Sequence, residues 1–142
     1  MPKEITFTII WGIPSKKNRH IIKKNHRTGK SYIGSDDEYH LWEVRHSDEL
    51  SIEIKHLGNF KGYENIHIDY LFRVAKNKDG TPCRKHWDVT NKLESINDMI
   101  VIAWLIDDDW HAILKKWTWD VEDADIPENE VIVTLTEIPI IW

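Results

Sequence analysis

The alternation through Ile66, Ile68, Tyr70, Phe72 and Val74 constrains this chain more than any other feature. Apolar residues at a strict spacing of two line one side of an extended strand, with His67, Asp69, Leu71 and Arg73 on the other. A slip of one residue would turn every apolar group to the wrong face, so the register is tightly specified. The chain must therefore build a sheet with one covered face, and it must also supply the cover.

Two segments have the period to do so. Leu93, Ile96, Ile100 and Ala103 fall on one side of a helix over 90–103, with Asn91, Glu94, Ser95 and Asp98 opposite. Ser35-Asp36-Asp37-Glu38 has capping-box spacing. The helix after it carries Tyr39, Trp42, His46, Leu50, Ile54 and Leu57 on one side and stops at Gly58. His46 on that side reads as a packing residue rather than a ligand. Further strands are expected over 4–11, over 111–121 with Ile113, Lys115, Trp117, Trp119 and Val121 on one side, and over 130–138 with Val131, Val133 and Leu135 inward. The order predicts an α+β fold: a mixed β-sheet of about four strands with two main helices packed on one face, one domain over 1–142.

Composition excludes several classes. One cysteine, Cys83, permits no disulfide framework and gives no zinc motif. No apolar run reaches the roughly eighteen residues of a membrane span. Met1-Pro2-Lys3-Glu4 lacks a signal-peptide pattern, so the cytoplasm is the expected location. The apolar end Ile140-Ile141-Trp142 is expected to pack on the body or on a second subunit.

Charge is divided unevenly. Residues 1–34 hold eight Lys and Arg (Lys3, Lys16, Lys17, Arg19, Lys23, Lys24, Arg27 and Lys30) against Glu4 alone, yet the whole chain is −5. A basic arm on an acidic body suits a polyanion partner, and equally a solvated basic loop; within it Asn25 to Lys30, with Thr28-Gly29, reads as an exposed turn. The acidic body has a focus. His86-Trp87-Asp88-Val89-Thr90-Asn91 leads into the helix that carries Glu94 and Asp98, and Asp107-Asp108-Asp109 follows that helix. Carboxylates from two elements converging on one pocket would suit a hard cation such as Mg²⁺, with Mn²⁺ a possible substitute. The alternative is a set of caps and a solvated turn. Trp87 and Trp110 flank the acids, as platforms for an unpaired base or as pocket walls.

Taken together, the ordered set resembles crossover-junction endodeoxyribonucleases of the RusA type, including phage-encoded relatives, over nearly the full length. An opening strand ends at Pro14 and is followed by Ser15-Lys16-Lys17-Asn18-Arg19. A capped helix and an alternating strand come next. A segment of the form D-x-(D/T)-N-x-x-(K)-x-x-x-D is then met by Asp88, Thr90, Asn91 and Asp98, and a downstream Asp pair and a strand pair complete the set.

The resemblance implies Mg²⁺-dependent hydrolysis of DNA phosphodiesters at four-way junctions by a homodimer, in recombination and repair. Asp88 matches the first essential acid and Asp108 the last, with Asp107 and Asp109 open for that register. Asp98 matches a further helix carboxylate. Asp88, Asp107 and Asp108 are the expected metal ligands; Thr90 and Asn91 are expected to support them. Lys16, Lys17, Arg19, Lys23, Lys24, Arg84 and Lys85 are the expected DNA contacts. Two positions depart: Thr90 stands where many members have Asp, and Glu94 where a functional Lys is usual. Lys92 lies about 160° away around the helix and cannot replace that Lys. Arg84 or Lys85 could supply the charge, and Glu94 the carboxylate that Thr90 lacks. These departures keep open a catalytically weakened DNA-binding module, a nuclease for other branched DNA, and an acidic patch for a protein partner.

Overall fold

The computed structural model describes the chain except residues 1, 11–19, 26, 36, 84–88 and 140–142, and describes backbone only at 20–24, 32–35, 37–39 and 89–91. In chain order the elements are β1 (Glu4–Ile10), β2 (His20–Lys24), β3 (Ser31–Ser35), α1 (Asp37–Leu57), β4 (Ile66–Ala75), α2 (Val89–Ile102), β5 (Leu114–Ala124) and β6 (Glu130–Glu137). β1, β6, β4 and β5 lie side by side in that order. β6 runs antiparallel to both neighbours, whereas β4 and β5 are parallel, so the sheet is mixed. With two helices beside it, the fold is α+β as expected.

The alternation does what its spacing demands. Ile66, Ile68, Tyr70 and Phe72 are fully buried, and Tyr70 pairs with Val133 as Phe72 does with Val131. Ile5, Phe7 and Ile9 of β1 continue the same face through β6. Trp42 and Leu50 of α1, and Leu93, Ile96, Met99 and Ile100 of α2, pack against that face in one core. Each large apolar side chain so buried contributes roughly 1.5–3 kcal/mol.

Four features differ from the sequence reading. The basic segment forms a hairpin, β2 with β3, where only a turn was legible. The turn itself is as expected: the Asn25 carbonyl accepts from Gly29, the Asn25 carboxamide oxygen accepts from Arg27 and Thr28, and Gly29 takes a positive φ. On α2 the polar side is narrower than the period suggests. Ser95, expected on that side, is fully buried because the helix packs against α1 as well as the sheet. On α1, Leu57 is exposed, since the last turn runs beyond the core before Gly58 ends it. In β5 the pairing with β4 slips after Leu114: Ile66 faces Leu114, but His67 faces Lys116. This bulge takes up Lys115 and sets Leu114, rather than Lys115, on the face of Trp117.

Candidate acidic site

The turn after α2 positions the acids. The Leu105 amide donates to the Ile100 carbonyl and the Trp104 amide to that of Val101, with Trp104 at φ +68°. These are the two bonds of a Schellman motif, with Trp104 in the left-handed position that glycine ordinarily takes. The apolar contact that completes it comes from Leu105 and Ile100, both fully buried. The Leu105 carbonyl then accepts from the Phe60 amide, tying the turn to the loop after α1. The chain thus doubles back on α2, and Asp108 and Asp109 arrive beside Asp98.

A cleft of about 270 Å³ results, lined by Glu43, Asp98, Val101, Ile102, Asp108 and Asp109. Asp98 comes from α2, the aspartate pair from the turn, and Glu43 from α1. The Asp109 amide donates to Asp108 Oδ1 at 2.8 Å. Asp109 is half-buried, and its carboxyl titrates above the usual carboxylate range. Burial is the main cause, followed by a hydrogen bond with Asp108 and the charges of Asp98 and Asp108. Among the described residues, no positive charge offsets it. Beneath it, the Tyr70 hydroxyl donates to Asn97 Oδ1, both groups being buried. Burial pushes the Tyr70 phenol well up, and the Asp109 charge adds to that.

Asp107 has a different task. Its carboxylate meets Lys61 Nζ at 2.6 Å and accepts from the Gly62 amide at 2.7 Å, which holds its pKa below the ordinary value. The same ammonium sits 4.7 Å above the Trp104 ring. The resemblance counts Asp107 among the metal ligands, with Asp109 open for the same register; in the fold the Asp107 charge is answered by Lys61, and Asp109 stands beside Asp108. Glu94 is exposed on α2 and is not part of the cleft lining. Glu43 takes a place that no motif marks. It lies one helical turn before Ser47, which is buried, and two before Ser51, whose hydroxyl donates to the Ala103 carbonyl, so this stripe of α1 faces the end of α2.

Asp88, Lys16, Lys17, Arg19, Arg84 and Lys85 lie outside the described residues, as does Trp87. Lys23 and Lys24 are described in backbone only, on β2, and so are Thr90 and Asn91 in the first turn of α2. Val89 and Asp98 are nine residues apart on α2, which is about 13 Å of helix. Trp110 is exposed, with His111 edge-on against it, and does not line this cleft. Among the described residues, no three His, Cys, Asp or Glu side chains close on one point as a ready metal nest. The four carboxylates of the cleft instead line its walls. Their chemistry, carboxylate oxygens brought from three parts of the chain, still fits a hard divalent cation. No family model matches the chain, and no curated protein matches it. No described helix is long and apolar enough to cross a membrane.

Proposed function

We propose that the chain is a divalent-metal-dependent endodeoxyribonuclease acting on branched DNA, with the four-way junction as its preferred substrate. One observation carries this reading: Asp98 and Asp108–Asp109, from two separate elements, share one cleft, in which no positive group among the described residues offsets Asp109. Asp98, Asp108 and Asp109 would hold Mg²⁺; Asp88 enters as an essential acid on the strength of the family resemblance alone. Asp107 acts as a clamp that sets the turn. A bound Mg²⁺ lowers the pKa of its water and offsets charge on a phosphoryl group.

The protein's own residues then have distinct parts. Asp108 fixes Asp109 through its backbone amide. Tyr70 and Asn97 form a rigid floor below Asp109. The basic segment, from Lys16, Lys17 and Arg19 to Lys23 and Lys24, grips phosphates, with Arg27 and Lys30 exposed at the hairpin turn. Such contacts orient DNA without reading its sequence. Arg84 and Lys85 extend the grip near the start of α2.

The second reading, a DNA-binding module with little catalysis, is favoured by exposed Glu94 and by carboxylates that line the cleft without closing it. Labelled four-way, forked, flapped and linear DNAs incubated with Mg²⁺ separate the two. Paired nicks confined to the four-way junction are the expected result. Binding without nicks in Mg²⁺ or Mn²⁺ would leave the module, and neither binding nor nicks would remove both.

A further inference from the structure

The two edges of the sheet, β1 and β5, are built differently. β5 is bulged at its start and carries Lys115, Lys116, Asp120, Glu122 and Asp123, charges of the kind that keep an edge unpaired. β1 lacks these devices. Its register with β6 is unbroken from Glu4 to Ile10, it holds no proline, and Glu4 is its single charge. No strand among the described residues pairs with its outer side.

The direction of its backbone groups follows from one bond. The Glu137 amide donates to the Lys3 carbonyl, so Lys3 and Glu137 form a hydrogen-bonded pair. Such pairs alternate along antiparallel strands. Ile5, Phe7 and Ile9 therefore bond to β6, and Glu4, Thr6 and Thr8 turn their amides and carbonyls away from it. The Ile10 carbonyl points the same way and meets His46 Nε2 of α1 at 3.4 Å.

α1 runs alongside, antiparallel to β1. Ile10 lies by His46, and the Lys3 ammonium donates to the Asn59 carbonyl just past the helix. Between strand and helix is a groove of about 330 Å³, lined by Thr8, Ile10, Arg45, His46, Glu49 and Glu53. A smaller recess shares four of these residues and reaches the core at Phe7, Leu50 and Met99. Arg45, Glu49 and Glu53 recur every four residues, so they stand in one row along the helix. Arg45 is engaged by Glu49 at 3.3 Å. Among the described residues no ion pair answers Glu53. The row is net negative.

We propose that this groove binds an extended basic peptide, a segment of another protein, which adds to β1 as a further strand and sets Lys or Arg side chains against Glu49 and Glu53. Main-chain bonds to Thr6 and Thr8 supply the affinity. Alternate side chains of the added strand face α1, and the acidic row there selects bases. The apolar stems of those bases lie along Ile10 and the recess. An acidic peptide, or a nucleic-acid backbone, would set like charge against the row. The groove shares no residue with the acidic cleft, so the proposal is independent of the nuclease reading.

Fluorescence anisotropy on the full chain tests it, with a labelled peptide in which lysine alternates with threonine. Wild type is expected to bind it saturably below about 1 mM. The same peptide is then N-methylated at its lysine amides or, separately, at its threonine amides. One of these two is expected to bind at least about tenfold more weakly than the other, because a strand turns alternate amides to one edge. Charge is equal in both, so a purely electrostatic contact would not tell them apart. Glu53→Lys is expected to weaken the lysine peptide about tenfold and to admit its glutamate counterpart. Thr8→Pro removes one outward amide and no β1–β6 bond, so it should weaken binding with an unchanged far-UV circular dichroism spectrum. No binding by wild type, whether the edge is bare or taken by a second copy, would overturn the proposal. So would equal affinities of the two methylated peptides, or a Glu53→Lys variant that binds as wild type does. If Thr8→Pro fails to fold, the methylated peptides decide alone.

Discussion

Asp109→Asn is expected to make the metal-free protein more stable. The change keeps the shape of the side chain and the Asp109 backbone amide that donates to Asp108. It removes a carboxylate whose pKa is raised first by burial, then by its hydrogen bond with Asp108 and by the charges of Asp98 and Asp108. The cleft is open to water, so each like-charge pair costs only about 0.2–0.5 kcal/mol. With two such pairs removed, the gain is about 0.5–1 kcal/mol, or roughly 1–4 °C in Tm for a chain of this length. The pH dependence has a definite sign. A raised folded-state pKa means that wild-type stability is greatest where Asp109 is protonated and falls as pH rises through that pKa. The advantage of Asp109→Asn should therefore be full at pH 7.5 and shrink towards pH 4. Mg²⁺ should invert the comparison: at ten times its Kd, a ligand bound only by the folded state adds about 1.4 kcal/mol. Wild type should gain this and the variant should not. Thermal unfolding in EDTA and in Mg²⁺, at both pH values, gives every term. A variant no more stable than wild type in EDTA at pH 7.5, or one with an advantage that persists unchanged at pH 4, would refute the reasoning.

Further outcomes follow from the same geometry. Asn97→Ala should cost about 1–3 kcal/mol, because the buried Tyr70 hydroxyl loses its acceptor; adding Tyr70→Phe should restore part of the loss in urea unfolding. Trp104→Gly should relieve left-handed backbone strain of about 1 kcal/mol, offset by loss of the Lys61 contact, so Tm should move little. Asp88→Asn and Asp108→Asn should abolish junction cleavage while leaving gel-shift affinity largely unchanged, because phosphate contacts from Lys and Arg carry the binding. Replacing Lys16 and Lys17 by Ala should weaken binding and reduce the salt slope by about two; an unchanged slope would remove that segment from the DNA contact.

Much of the scaffold is legible in the sequence where a single period decides. Ile66 to Val74 has one apolar side and is a strand; Leu93, Ile96 and Ile100 recur at helical spacing and face the core. The rest depends on partners distant in sequence. The slip at Lys115 cannot be read because Ile113, Lys115 and Trp117 alternate regularly, and only pairing with β4 reveals the bulge. The Schellman turn lacks its usual glycine, so Trp104 hides the reversal that brings Asp109 to Asp98. Within the Asp107–Asp109 triplet, spacing treats the three alike; it is Lys61, more than forty residues upstream, that draws Asp107 away. Glu43 enters the cleft only because α1 packs on α2, which no local pattern announces. The basic strands β2 and β3 lack an apolar alternation and therefore read as loop.

The claim on which the functional reading rests is that one cleft concentrates a divalent cation. Crystals grown with Mn²⁺ and measured at its absorption edge would locate that ion by anomalous scattering. The expected peak lies within coordination distance, about 2–2.5 Å, of oxygens from both Asp98 and the Asp108–Asp109 pair. A peak at Asp107 alone, or ions bound only elsewhere on the molecule, would contradict it.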